Sequence, residues 1–401
     1  MFELIPFIAL GIISGTITGL FPGIHVNTVV SFILSVLPLL ISYFSPLQIA
    51  AFIISMVHVH SYVDYIPSIF LGAPEEESSL SVLPGHRLLL KGRGYEAVRL
   101  TVVGSAGSTI ICALLLLPAI AVIPKLYSYL SRAVFFILLF FVLYMIAREE
   151  GRKKMFAFLT LAYSGALGMI ILNRNLLEQS AALFPAFTGL FGVSTLLISL
   201  RGSSKIPEQD TGCGSMEAGK SIAGGSLAGV VSGFIPALSS SEAAGIMQAV
   251  FGKGDEKDFL VSLGAINTAE AIYAVFSLYL IGRPRSGAAI GIKEILGKIS
   301  LNELYFMAAV FLLTTFFAVA ITLSFAKIIA KRIEKINYAL IAKATILFVT
   351  FLVLLLTGAK GFLVLLVATF IGLIPQLSGV NRTTCMGVLM VPALVYFAGV
   401  V

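Results

Sequence analysis

The stretch SMVHVHSYVDYIPSIFLGAPEEESS (55–79) sets His58, His60 and Asp64 inside an otherwise apolar run. His60 and Asp64 are four residues apart, so on a helix they share one face. A second run, LGAINTAEAIYAVFSLYLIG (263–282), carries Asn267, Glu270 and Tyr273 at steps of three. Two further polar clusters follow prolines that interrupt apolar segments: GIHVNT (23–28) after Pro22, and ALSSSEA (237–243) after Pro236. Ionisable groups at membrane depth are costly, so they face a cavity or a partner. A helix broken at a proline frees main-chain N–H groups for an anion and carbonyls for a cation. Such residues can carry a proton or bind a small ion. The plain alternatives are polar contacts between helices for the first two clusters and a wet surface turn for the others.

These residues need a membrane around them. The 401 residues are 58% hydrophobic and only 12% charged, with a mean hydropathy of +1.01, whereas soluble domains carry about 25% charge. Apolar runs such as VFFILLFFVLYMIA (134–147) and FMAAVFLLTTFFAVAITLSFA (306–326) recur from end to end, continuous rather than alternating as in a β-barrel. The expected fold is an all-α polytopic membrane protein. The first segment lacks a basic leader and a clear cleavage site, so it reads as a mature span.

GSMEAGKS (214–221) matches the phosphate-loop pattern letter for letter. A working loop joins a buried strand to a helix, yet SSKIPEQDTGC precedes this one. It reads as a flexible polar linker, with Lys220 and Ser221 opening a membrane helix. Cys112, Cys213 and Cys385 are far apart, so no metal site or disulfide framework is expected. The two histidines with Asp64 lack a further ligand at metal spacing. APEEESS (73–79) reads as a charged surface loop, with a share in a cation site as the other option.

The chain looks written twice. Gly11, Gly15, Gly19 and Pro22 return as Gly225, Gly229, Gly233 and Pro236, 214 residues later. Small residues at every fourth position let helices approach closely. FLGAP (70–74) and LIGRP (280–284) form a weaker echo, as do NRN (173–175) and NRT (381–383). The expected organisation is a first transmembrane repeat at 1–200, a polar cytoplasmic linker at 201–218 and a second, inverted repeat at 219–401. Each half holds about seven hydrophobic segments, some broken or re-entrant, the pieces at 239–251 and 286–297 being too short to span. An odd number of crossings per half inverts the second copy. The basic stretches at 86–99, 148–154 and 327–335 fall on one side in that plan, while Arg283, Arg285, Lys293 and Lys298 do not fit it.

GTITGLFPG (15–23), its looser copy GVVSGFIPA (229–237), FLGAPEEESS (70–79) and LPGHRLLLKGRGYEAV (83–98) resemble the signatures of the large membrane subunit of tripartite tricarboxylate transporters and its archaeal relatives. The likeness covers most of the chain. It departs in the three glutamates after Pro74 and in SSSEAAG, where family members carry a more amide-rich stretch. The resemblance implies transport of di- or tricarboxylates with a cation gradient, beside a small membrane subunit and an extracytoplasmic binding protein.

The expected function is therefore a secondary active transporter in the cell membrane, not an enzyme, moving a small organic anion with Na+ or H+. Pro22, Gly23 and Pro236 would supply the helix breaks. His25, Asn27, Ser239, Ser240, Ser241 and Asn267 would meet the substrate. His60, Asp64, Glu242 and Glu270 would carry the coupling ion, since burial disfavours the charged carboxylate and promotes proton exchange. The bilayer is the expected environment, a homodimer is compatible, and no cofactor, metal or nucleic acid is expected. Two other readings stay open: a translocase of a lipid-linked phosphate such as a polyprenyl phosphate, and an intramembrane enzyme built on His58, His60 and Asp64.

Overall fold

The computed structural model describes residues 2–21, 26–72, 82–173, 177, 183–200, 206–212, 217–234, 240, 243–244, 247, 255–333 and 338–399. Among them every regular element is helical. In chain order these are α1 (Ile5–Leu20), α2 (Val26–Ser35), α3 (Leu37–Tyr43), α4 (Pro46–Val63), α5 (Tyr65–Phe70), α6 (Val82–Leu90), α7 (Gly94–Ala147) and α8 (Lys153–Asn173). Then come α9 (Leu183–Phe187), a π-helical turn (Thr188–Val193), α10 (Ser194–Ser199), α11 (Gly219–Ser232), α12 (Glu256–Leu280) and α13 (Gly287–Leu296). The chain ends with α14 (Leu301–Ile333), α15 (Tyr338–Ser378), a 3-10 turn (Arg382–Met386) and α16 (Gly387–Phe397).

Six of the described helical stretches are long and apolar enough to cross a bilayer. Their burial sorts them by role. The apolar windows of Pro46–Phe70 and Glu256–Leu280 are 89% and 83% buried, against 33%, 33% and 28% for Gly94–Tyr127, Leu301–Ile333 and Ala342–Ser378. The two central spans are also the two least apolar of the six. Outer helices turn bare apolar side chains outward, among them Leu114, Phe136, Phe316, Leu347 and Phe370, as a lipid-facing surface requires. The chain is an all-α polytopic membrane protein, with α4 and α12 at its centre.

Local chemistry explains how the elements begin and end. Pro46 takes the first position of α4, where a missing N–H costs nothing. Ser45 and Gln48 close a capping box there, with bonds of 3.4 and 2.8 Å. α5 and α12 both end at glycines in the left-handed region, Gly72 at φ +67° and Gly282 at φ +68°. These are the glycines of FLGAP and LIGRP. The two apolar runs at 98–122 and 133–147 are one continuous helix, α7, which carries Pro118 and Pro124 inside it. Those at 338–357 and 360–378 are joined across a kink at Gly358.

Glycines set the closest helix contacts. A Cβ on Gly11, Gly15 or Gly19 of α1 would lie 2.4–2.8 Å from Phe52, Met56 or Val63 of α4. One on Gly225, Gly229 or Gly233 of α11 would lie 2.3–2.9 Å from Ser262, Ile266 or Tyr273 of α12. α7 packs along α12, and α14 along α4. Gly168 of α8 abuts Val388 of α16, while Gly372 of α15 abuts Leu190 of the π-helical turn. Arg382 is buried and donates to the carbonyls of Leu190 and Phe191 at 3.3 and 2.7 Å. Its guanidinium also lies over the Phe191 ring.

Part of the expected flexible linker is fixed. Gln209 is buried, its Nε2 donates to Leu89 O at 3.0 Å, and its Oε1 accepts from Gly94 N at 2.8 Å. Asp210 N donates to Gly92 O at 2.7 Å. Residues 206–212 are thus held against the turn between α6 and α7, within the basic stretch at 86–99. Lys220 and Ser221 do open a helix, α11, and Ser221 donates to Asp258 at 2.9 Å. No strand precedes them among the described residues.

Candidate functional site

α4 carries its polar residues to two different faces. His58 turns to α14, where its Nε2 lies 2.8 Å from Thr315 Oγ1 and its ring sits between Tyr62 and Phe311. It serves as a contact between helices. His60 turns to α1, with Nδ1 3.0 Å from Thr18 Oγ1. Thr18 spends its own hydrogen on the Gly15 carbonyl, at 3.2 Å. Asp64 lies at the joint between α4 and α5, one turn beyond His60, and both are buried.

On α12, Asn267 and Glu270 face back toward α4. His60, Ser61 and Asp64 line one cavity of about 90 Å³ with Asn267, Glu270, Val57, Ala271 and Ala274. Val26, the first residue of α2, contributes to the wall, as do Ser286 and Ala288 at the start of α13. A single water needs about 10–15 Å³ on this measure, so several waters or a small solute fit. The third residue of the second cluster, Tyr273, belongs to the core instead. It packs on Phe234 and Phe276, and its hydroxyl donates to Cys112 O at 3.4 Å.

The α4 and α12 residues of this wall come in pairs. Val57 and Asn267, His60 and Glu270, Ser61 and Ala271, and Asp64 and Ala274 are each 210 positions apart. The same interval relates the helix contacts. Gly11 meets Phe52 and Ser55, and Gly225 meets Ser262 and Ala265; Gly19 meets Val63, and Gly233 meets Tyr273. His60 and Glu270 thus hold matching places on matching helices. Gly15 and Gly19 pack on the His60 backbone, as Gly233 packs on that of Glu270.

Among the described residues, the cavity lining includes the carboxylates of Asp64 and Glu270 and the imidazole of His60, and no Lys or Arg. Among the described residues no three His, Cys, Asp or Glu converge as a metal site would require. Carboxylate and imidazole groups on such a wall can hold a cation or a proton. Sequence reasoning missed Thr18, Ser61 and Ser286. Thr18 had one signal, a hydroxyl one residue before a stripe glycine. Pro22, Gly23, His25, Pro236, Ser239, Ser241 and Glu242 lie outside the described residues, as do the Asn27 side chain, Cys213 and 73–79. Ser240 is described and fully buried.

A helical membrane protein whose two most buried spans set ionisable side chains in a shared cavity has the build of a membrane transporter. The chain belongs to the tripartite tricarboxylate transporter TctA family, whose model matches residues 5–387. It is also 32% identical over 402 residues to the uncharacterized protein MJ1079 of Methanocaldococcus jannaschii, covering 98% of each chain. No solved structure matches it.

Proposed function

We propose that this protein is a secondary active transporter of the cell membrane, moving a small di- or tricarboxylate-like anion together with H+ or Na+. His60, Asp64 and Glu270 carry the coupling cation. The halves at 1–200 and 219–401 act as two inverted repeats around the central cavity, joined by the cytoplasmic linker at 201–218. A small membrane subunit and an extracytoplasmic binding protein are the accessory partners that family membership suggests. The observation that carries this reading is the meeting of His60 with Glu270, 210 positions apart on matching helices, and of Asp64 beside them, in one cavity. The repeat plan draws support from the matched glycine contacts and the paired left-handed glycines.

The test is uptake of radiolabelled succinate and citrate into proteoliposomes under an imposed pH or Na+ gradient. Glu270→Gln keeps the side chain's shape but cannot ionise. Gradient-driven uptake should fall at least tenfold while the apparent Tm holds. Uptake by Glu270→Gln equal to wild type would refute the coupling assignment.

A further inference from the structure

The cavity wall has a second chemical character that the acidic residues obscure. α13 begins on it: Ser286 and Ala288 line the cavity, and Ser286 caps the helix with φ −143° and ψ 165°. The Ser286 hydroxyl accepts from Ala289 N at 3.1 Å, and its carbonyl takes the next N–H, that of Ile290, at 2.9 Å. The earlier N–H groups, of Gly287 and Ala288, have no acceptor within the helix. Their own side chains are too small to cover them. An independent donor lines the same cavity. Asn267 is only 3% exposed, and its Nδ2 has no hydrogen-bond partner among the described residues. A buried amide N–H₂ left without an acceptor is costly, so its place in a cavity wall points to a ligand oxygen.

The surroundings hold α13 in position. A Cβ on Gly291 would lie 2.5 Å from Val30 of α2, so α13 is seated closely on the helix whose first residue also lines the cavity. Arg285, one residue before the cap, donates to the Tyr127 hydroxyl and lies over that ring at 5.2 Å. This anchors a fixed positive charge next to the start of α13. The position of Arg285 also gives a physical reason for one of the basic residues that did not fit the charge pattern of the loops.

We propose that the first turn of α13 and the Asn267 amide form a carboxylate subsite, binding one carboxylate group of the transported anion through main-chain and side-chain N–H donors. The proposal rests on the reading of this protein as an organic-anion transporter and places the anion in the same cavity as the coupling groups. Helix N-termini favour anions through both their free donors and the helix dipole. An anion held beside Asp64 and Glu270 is tolerated only once a cation or proton neutralises them, so occupancy of the subsite is tied to the coupling step.

The test is calorimetric titration of the purified full-length protein in nanodiscs with succinate, citrate and inorganic phosphate. Two variants remove the donors in different ways. Asn267→Asp replaces the amide donor by an acceptor of the same shape. Gly287→Pro deletes one N–H at the first helical position, where proline is tolerated and where Ser286 is already extended as a residue before proline must be. Each should raise the Kd for the carboxylate that wild type binds by roughly tenfold or more, with the apparent Tm retained. If Gly287→Pro does not fold, Asn267→Asp decides. Should wild type bind succinate or citrate and the folded variants bind it within twofold, the subsite is wrong while the transporter reading stands. Binding of phosphate with no carboxylate overturns the carboxylate assignment, and binding of none of the three removes the organic-anion reading together with the subsite.

Discussion

Gly15→Ala should weaken both the fold and the site through one methyl group. A Cβ at Gly15 would stand 2.4 Å from the Met56 carbonyl oxygen and 3.1 Å from His60 N, both main-chain atoms of α4 that cannot turn aside. Ordinary contact begins near 3.4 Å, so α1 and α4 must part locally by about 1 Å (3.4 − 2.4). Overpacking of this kind costs about 1–3 kcal/mol. Thr18 rides on the same helix, three residues on, and its 3.0 Å contact to His60 would stretch beyond hydrogen-bonding range. His60 would then lose its contact with Thr18. Gly224→Ala is the control, because nothing lies within 4 Å of a Cβ there. An alanine in that helical position should be neutral or stabilising by up to about 1 kcal/mol. The assay is the apparent Tm in detergent, paired with gradient-driven uptake in proteoliposomes. Gly15→Ala should lower the Tm by several degrees and reduce uptake, and Gly224→Ala should do neither. If the two variants melt together, close approach at the glycine stripe does not position His60.

Two further outcomes concern regions away from the cavity. Arg382→Ala should cost about 1–3 kcal/mol, because it strips two buried carbonyls of the π-helical turn of their shared donor, Nη2; Arg382→Lys should rescue only part, since an ammonium does not stack on the Phe191 ring as the planar guanidinium does. Thermal unfolding of both variants checks this. Burial, with the Arg382 charge adding to it, pushes the His86 imidazole from 6.5 down to about 4. The unfolded chain then binds more protons than the folded one as pH drops below about 6.5, so stability is full above that pH and declines from there toward pH 4, by at most about 3 kcal/mol. A Tm profile across that window should flatten in His86→Gln.

Much of the architecture was legible in the residue pattern, because a bilayer dictates long apolar helices and makes each intramembrane charge conspicuous. His60, Asp64 and Glu270 stood out for that reason. Their relation to one another was not legible in the glycine stripes. The glycine stripes repeat at 214, and that interval pairs His60 with Ala274. The helices packed on those stripes repeat at 210, one helical turn less, and only this interval sets His60 against Glu270. A connection four residues shorter in the second half accounts for the slip, and the echo of FLGAP (70–74) in LIGRP (280–284) carries the same interval of 210. Nor could spacing separate His58 from His60. Two residues apart on a helix they face nearly opposite ways, and packing alone decides that one meets Thr315 while the other meets Thr18. The start of α13 was legible only as a short apolar piece, since its contribution lies in main-chain donors common to every sequence.

The amino-acid sequence by itself determined that the chain is helical, sits in a membrane, and carries a few ionisable groups at depth. Hydropathy and periodicity are local properties, read within a turn or a span. Which groups share a cavity was decided only by the tertiary structure, through contacts between helices about two hundred residues apart. Those contacts depend on where glycines allow main chains to touch, and on which face of each helix is left for the polar residues once the apolar faces have been buried or turned to lipid.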